Sequence, residues 1–414
     1  MLHAAQRMIK SIKKRRENMI MKKIKNNVYW VGKLDWEMTK FHGSDFSIDS
    51  GSSQNAYLIK EEKTVLLDTV WVPHAKEFVE NLEKEIDLDS IDYIVINHGE
   101  CDHSGALPYL MSKIPNKPIY CTAQAVQSLT GQYHHPEWDF HVVKTGDKLD
   151  IGNGKTLTFI QMTMLHWPDS MATYMSGDNI LFSMDAFGQH YACEEMFADK
   201  ADQEALWREA VKYYVNILMP FSMFVAKKIP ELKALGLPID MIAPSHGVIW
   251  RENPMQIVDK YAEWANNYKE DQITVIYDSM WNGTATLAHR IADEVHAQSP
   301  ETVVKVMSAA TADKNDIMVE VFKSKAIAVG SPTIVRDIMS SMTGLLAFMK
   351  ELHFTGKKAA VFGCYGWSGE GNKILRDKMI ECGFEVMEPE IKSQWNPDEK
   401  VLAQAEGIAR ALLG

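Results

Sequence analysis

The 414-residue sequence is poor in cysteine: Cys101, Cys121, Cys193, Cys364 and Cys382 are the only five, and no two form a C-x-x-C pair. That excludes an in-chain zinc ribbon or rubredoxin-type iron site, and an odd, scattered set fits a reducing, cytoplasmic compartment. No apolar run approaches the roughly 20 residues needed to span a bilayer, so no membrane partner is expected. The signal-peptide apolar core of roughly seven to fifteen residues is also missing. Internal repeats and low-complexity tracts are absent. With 46% hydrophobic and 24% charged residues, the composition is that of a globular protein, and its length predicts at least two domains.

Charge is unevenly distributed. Residues 1–25 hold nine Lys or Arg against the single acid Glu17, and the remainder carries 35 basic against 54 acidic residues, a net −19. So acidic a body repels phosphate backbones, which argues against nucleic acid as the main ligand. The basic stretch over residues 1–26 reads as an N-terminal extension. A plain disordered extension, a targeting segment, a membrane-surface or nucleic-acid arm, and residues upstream of a natural start at Met21 are the readings it allows.

The texture changes near residue 270. Before it, β-like runs at Val28–Val31, Asn55–Ile59, Thr64–Leu67, Ile91–Ile96, Thr156–Ile160 and Ile180–Ser183 suggest sheet layers flanked by helices. After it, short apolar strands at Ile273–Tyr277, Val303–Met307, Ala326–Val329, Ala359–Phe362 and Glu385–Met387 each precede a helical stretch. Five such β/α units describe a doubly wound parallel sheet of flavodoxin size. The expected domains are 27–270 and 271–414, with Met255–Glu270 as the last helix of the first and the linker near Asp271.

The densest set of metal-ligating side chains follows the Ile91–Ile96 strand, in Asn97-His98-Gly99-Glu100-Cys101-Asp102-His103. If the chain stays extended, His98, Glu100 and Asp102 project to one side, and Cys101 points away. Four ionisable groups in six residues compete unless a cation neutralises them. His166, Asp185 and His246 occupy comparable strand-to-loop positions. Singly, His246 before a glycine reads as a loop residue and Asp185 as a helix cap. Together the seven suit two metal ions with one carboxylate bridging. A thiolate-free, carboxylate-rich set suits iron or manganese better than zinc. His134, His135, His141, His289, His296 and His353 read as surface or structural.

The order His98-x-Glu100-x-Asp102-His103, then His166, Asp185 and His246, resembles the flavodiiron proteins (A-type flavoproteins). The resemblance implies a metallo-β-lactamase-like αββα sandwich as the first domain. It also implies that His98, Glu100 and His166 bind one iron, that Asp102, His103 and His246 bind the other, and that Asp185 bridges the two ions. Glu100 stands where hydrolytic members of that fold usually carry His. The match at His103 is the weakest, because solvent replaces it in some members. Trp167-Pro168-Asp169-Ser170 and Ala186-Phe187-Gly188-Gln189-His190-Tyr191 also match the family. His42 and Tyr213 resemble residues placed near the substrate.

In the second half, the Ile273–Tyr277 strand runs into Asp278-Ser279-Met280-Trp281-Asn282-Gly283-Thr284 and then a helix. Small and hydroxylated residues there let backbone N–H groups converge on a phosphate, and with no Gly-Lys-Ser/Thr in this loop a nucleoside triphosphate is not expected. Two further loops, Gly330-Ser331-Pro332-Thr333 and Gly363-Cys364-Tyr365-Gly366-Trp367-Ser368-Gly369, leave strand ends on the ligand-binding edge of such sheets. Glycines admit a planar ring, and Tyr365 and Trp367 offer stacking faces. The three loops together point to FMN, and they resemble the flavodoxin half of the same family. Val335-Arg336 stand where that family has asparagines.

The resemblance implies an oxidoreductase. An external donor, such as a rubredoxin-like protein or a flavoprotein reductase, reduces FMN; FMN reduces two iron ions; the irons reduce dioxygen to water or nitric oxide to nitrous oxide. It further implies a head-to-tail homodimer, or a dimer of dimers, that sets one subunit's flavin beside the other's irons. Two readings compete with it. One is a two-zinc hydrolase with a flavodoxin-like regulatory domain, against which Glu100 counts; the other is a plain electron carrier.

Overall fold

The computed structural model describes residues 21–414. Residues 1–20, most of the basic extension, lie outside the described residues. Its inner end is not an extension: Lys22–Lys25 is an edge strand paired antiparallel with Val28–Trp30. There Lys25 Nζ donates to the Asp178 carbonyl at 2.6 Å and to Asp240 at 3.1 Å, so its charge is neutralised within the fold.

The chain divides into two compact units. The first holds the chain up to Gly43, then Ile48–Tyr213 and Met223–Tyr261; the second holds Ser44–Ser47, Tyr214–Ser222 and Ala262–Gly414.

The first unit is built on two large sheets. Seven strands lie in the order Lys22–Lys25, Val28–Trp30, Tyr57–Lys60, Thr64–Leu67, Ile91–Val95, Ile119–Cys121, Phe140–Val142, antiparallel up to Thr64–Leu67 and parallel from there on. Five more lie in the order Lys148–Gly152, Lys155–Gln161, Met171–Met175, Ile180–Met184, Met241–Pro244. The period of two sorts side chains between layers. Tyr57, Ile59, Val65 and Leu67 join Phe159, Met171, Ile180 and Phe182 in one core. Their alternates Leu58 and Leu66, with Ile94, pack with Phe78, Val79, Leu82, Leu107, Leu110 and Leu129 of the Ala75–Glu85, Leu107–Lys113 and Ala123–Tyr133 helices. Each such fully buried side chain contributes about 1.5–3 kcal/mol. Every residue of Met171–Met175 and Ile180–Met184 is buried, so that sheet is covered on both faces. This is the β-lactamase-like sandwich.

The second unit is built on a parallel sheet in the order Val303–Ser308, Glu270–Tyr277, Ser324–Gly330, Lys358–Tyr365, Glu385–Val386. A further strand absent from the sequence reading, Ile391–Gln394, pairs with Lys358–Tyr365 beyond Glu385–Val386. Ile273, Val275, Ala326, Ala328 and Phe362 pack with Leu287, Ile291 and Val295 of the Gly283–Gln298 helix and with Ile408 and Leu412 of Ala405–Leu413. It is a flavodoxin-like doubly wound sheet. Among the described residues, no helix is long and apolar enough to cross a membrane.

The expected helix over Met255–Glu270 ends early, at Trp264, and Glu270 and Asp271 belong to the following strand. Asn267 has φ +49, a left-handed residue that ends helical geometry. Asp271 is held extended by Lys325 Nζ at 2.6 Å and Thr302 Oγ1 at 3.1 Å, so the connector precedes it. Ser47 N donates to Asn315 Oδ1 at 2.9 Å, and Asn315 Nδ2 donates to Asn216 Oδ1 at 2.9 Å. These amide contacts tie two short segments of the first half into the second unit, a departure from the expected boundaries.

Candidate functional site

The cluster around His98 is set by the groups that hold its backbone. Asp68, at φ +55, accepts Asn97 N at 2.7 Å and Asn97 Nδ2 at 2.9 Å. Thr173 Oγ1 donates to Asn97 Oδ1 at 2.7 Å, tying the strand end to the second sheet. Glycine at 99 lets the chain pass close to its neighbours, because a Cβ there would lie 2.7 Å from Asp169 Oδ2 and 2.8 Å from Ser128 Cβ. The chain is extended only as far as Glu100, and Cys101–Ser104 forms a single helical turn. The expectation of one extended run to Asp102 is therefore corrected. The turn is closed by Ser104 N to Glu100 O at 2.9 Å, and it brings Asp102 and His103 inward as neighbours. Cys101 Sγ turns away, 2.7 Å from Gln132 Oε1.

All seven side chains singled out for metal converge, in two groups. In the first, His98, Glu100, His166 and Asp185 present donor atoms within 4.8 Å of one another; in the second, Asp102, His103 and His246 do the same. His98 Nε2 lies 3.2 Å from Glu100 Oε2, and His166 Nε2 lies 3.4 Å from the same oxygen. His103 Nε2 and His246 Nε2 lie 3.3 and 3.1 Å from Asp102 Oδ2. Asp185 faces both groups. Its Oδ2 is 3.1 Å from His166 and 3.6 Å from His98, and its Oδ1 is 3.0 Å from His103 and 3.4 Å from His246.

Both carboxylate oxygens of Asp102 and of Asp185, and both ring nitrogens of His103, are buried without a hydrogen-bond partner. Burying such charges costs several kcal/mol per ion, which a metal at each group would offset. Burial pushes the Glu100 carboxyl up, but hydrogen bonds from His166, His42 and His98 outweigh it and hold the group far below its usual range. Burial lowers His103, yet the Asp102 and Asp185 charges raise it to about 9. Such strong attraction between donors marks a place built around positive charge. Four imidazoles and three carboxylates with no thiolate suit hard or borderline ions such as iron.

The candidate substrate-side residues lie beside these groups. His42 Nε2 is 3.1 Å from Glu100 Oε1 and its side chain is 41% exposed, which places it at the mouth. Tyr213 is buried, its ring 6.1 Å from that of His246 and 5.0 Å from that of His190. Of the histidines read as peripheral, His134 ends a helix in the left-handed region, and His135 and His141 pair with Glu137 and Asp139. None of the six joins either group.

Three contributors were not singled out from the sequence. Asp169 Oδ1 is 2.8 Å from His98 Nδ1. The Ser53 carbonyl accepts His246 Nδ1 at 2.6 Å. His190 is buried against Phe41 and His246, with Nδ1 2.8 Å from Ser52 Oγ. His190 and Asp169 stood inside recognised motifs, but no spacing rule told where they point.

The three flavin-loop candidates all leave the carboxyl ends of adjacent parallel strands, Glu270–Tyr277, Ser324–Gly330 and Lys358–Tyr365. In the first loop, Asn282 at φ +65 caps the Gly283–Gln298 helix, and Ser279 Oγ accepts Ala285 N at 3.3 Å. Thr284 Oγ1 is buried beside the Cys364 thiol. A buried hydroxyl at the N-terminus of a 16-residue helix fits a phosphate. In the second loop, Thr333 Oγ1 accepts Gly371 N at 3.1 Å, and Thr333 N reaches Cys364 O at 2.8 Å. Ser331 O would meet a Cβ on Gly363 at 2.3 Å, so these two loops touch through backbone. In the third, the Trp367 ring lies 6.2 Å from Trp395. Trp395 begins a fourth loop, overlooked in the sequence; an aromatic residue in Trp395-Asn396-Pro397, at the end of a strand, was the available signal. Asn396 Oδ1 would lie 3.2 Å from a Cβ on Gly283, which closes this loop onto the first.

Residues 52–247 match the ODP family of beta-lactamases, and residues 275–406 match the flavodoxin family. The chain is 52% identical, over 92% of its length and 77% of the relative's, to the anaerobic nitric oxide reductase flavorubredoxin of Vibrio vulnificus. It is 53% identical to that of Aliivibrio fischeri, over 92% of this chain and 76% of the relative. Among solved structures it is similar to the rubredoxin oxygen:oxidoreductase of Desulfovibrio gigas, with TM-score 0.91 and 33% identity, covering 95% of this chain and 98% of that one. The flavodiiron protein of Giardia intestinalis gives TM-score 0.90 and 32% identity, with 95% of each chain covered.

The chain belongs to the flavodiiron proteins.

In this flavodiiron protein the β-lactamase-like half carries the two donor groups, and the flavodoxin half carries the four loops.

Proposed function

We propose that the chain takes electrons from an external donor and reduces nitric oxide to nitrous oxide or dioxygen to water. Two nitric oxide molecules, two electrons and two protons give nitrous oxide and water; dioxygen takes four of each to give two waters. The observation that carries this reading is Asp185, with one oxygen toward each donor group, because two metals held side by side would together accept a diatomic oxidant and share its electrons. Bound FMN would supply electrons singly or in pairs, and two irons would supply them to the oxidant. His98, Glu100 and His166 would hold one iron and Asp102, His103 and His246 the other, with Asp185 facing both. His42 Nε2, at the mouth and hydrogen-bonded to Glu100, is placed to carry a proton. Tyr213 and His190 wall the second group and exclude water.

Ser279, Met280, Trp281, Asn282, Gly283 and Thr284 would cradle the FMN phosphate. Ser331, Pro332 and Thr333, with Cys364, Tyr365, Gly366, Trp367 and Ser368, would border its ring. Trp281, Val335, Trp367 and Trp395 are 82%, 93%, 87% and 62% exposed around these loops. An apolar rim of that kind marks an association surface and supports a head-to-tail homodimer or dimer of dimers, with a separate rubredoxin-like protein or flavoprotein reductase as donor. Five free cysteines support a reducing, cytoplasmic setting.

Relatives half identical over nine-tenths of the chain bear the nitric oxide name, which favours that gas. Glu100, which draws on two imidazoles of the first group, favours iron over the zinc of a hydrolase. Steady-state consumption of both gases by protein loaded with iron and FMN, under one common reductant, is the test. Faster turnover of nitric oxide is expected; consumption of neither gas would overturn the reading.

A further inference from the structure

The two donor groups are braced differently from behind. In the first, His98 Nδ1 lies 2.8 Å from Asp169 Oδ1, with both side chains almost completely buried. The second oxygen of that carboxylate accepts Gly99 N–H at 3.1 Å, so one aspartate fixes both the ring and the backbone that carries it. The Asp169 carbonyl is anchored in turn by Thr122 Oγ1 at 3.0 Å. In the second group, His246 donates Nδ1–H to a neutral acceptor, the Ser53 carbonyl, at 2.6 Å. His103 Nδ1 is buried with no hydrogen-bond partner. Asp68, the other buried carboxylate beside this loop, gives its oxygens to Asn97.

A carboxylate behind an imidazole raises the basicity of the far nitrogen and locks its direction, whereas a neutral carbonyl does less of the first. We infer that Asp169 is a positioning residue that makes the His98–Glu100–His166 position the tighter and more electron-rich of the two metal positions. The inference rests on the proposal that the pair of groups holds two irons. The greater electron density stabilises the ferric state at that position, so its iron is the harder of the two to reduce.

The experiment uses the full-length protein loaded with iron and FMN. Chelator removal of iron is followed in time, and a redox titration of the mixed-valence signal is run beside it. In the wild type one iron should leave about tenfold more slowly than the other, and equal rates would overturn the inference. Asp169→Asn keeps the side-chain volume and removes the charge. It should speed only the slow phase, by roughly 10- to 100-fold, raise that iron's potential and leave the flavin spectrum unchanged. Gly99→Ala is the second variant, because its Cβ would press on Asp169 Oδ2 from 2.7 Å without changing charge; it should give the same selective loss. Wild-type release rates and potentials in both variants would overturn the inference. A wild-type protein that retains no pair of irons would instead overturn the proposed function.

Discussion

Asp185 Oδ2 lies 3.1 Å from His166 Nε2, and the opposite oxygen of that carboxylate belongs to the other donor group. One side chain therefore couples the two halves of the centre. Asp185→Ala is predicted to lower bound iron from two per chain to one or none and to abolish gas reduction, with FMN content unchanged. Iron assay and the flavin absorbance check this; full iron in the variant would contradict the bridging role.

His42 is half exposed and touches Glu100, so a proton-carrying role and a bracing role make different predictions. On the first, His42→Ala lowers kcat by roughly 100-fold with both irons retained. Loss of iron along with turnover would identify His42 as a brace for Glu100 instead.

Much of this centre was legible in the sequence because ionisable residues at strand ends are unusual. His98, Glu100, Asp185 and His246 each follow an apolar run, and burying them needs compensation. The helical turn at Cys101–Ser104 was not legible, since four residues carry too little periodicity to separate a turn from an extended segment. Asp169 stood in a quoted motif, but its partner was not legible: it stands three residues after His166 yet serves His98, 71 positions earlier, through a tertiary contact. The parallel sheet was read from its alternating apolar strands. The Ile391–Gln394 strand was missed because its buried residues, Ile391 and Ser393, alternate with exposed Lys392 and Gln394 and so include a single apolar side chain. The linker expected near Asp271 followed from running the preceding helix to Glu270, whereas the helix ends at Trp264 and Lys325 and Thr302 hold Asp271 in the sheet.

Val335 and Arg336 are consecutive left-handed residues, φ +47 and +62, inside a turn closed by Ile334 and Asp337 at 2.8 Å in both directions. Asparagine tolerates that geometry; β-branched valine is strained in it. Val335→Asn is predicted to stabilise the second unit by about 1 kcal/mol, read as a rise in its unfolding midpoint. A lower midpoint would show that Val335 contributes more through contacts than it loses in backbone strain.

Lys357 is a buried ammonium whose three N–H bonds reach three carbonyls, Tyr268 at 2.9 Å, Phe322 at 2.8 Å and Ser324 at 2.6 Å. It fastens the connector after the Met255–Trp264 helix to the flavodoxin-like sheet. Lys357→Met strands all three acceptors and should destabilise the second unit by about 3 kcal/mol, measured by denaturant unfolding. A change below about 0.5 kcal/mol, the range of ordinary surface substitutions, would contradict the tripod's role.

The central claim is that seven side chains far apart in sequence hold two adjacent irons. Mössbauer spectroscopy of protein loaded with iron-57 tests it most directly. The account predicts two irons per chain, magnetically coupled in the oxidised state, with coupling lost in Asp185→Ala. Iron absent from the loaded protein, or present only as isolated uncoupled ions, would contradict it.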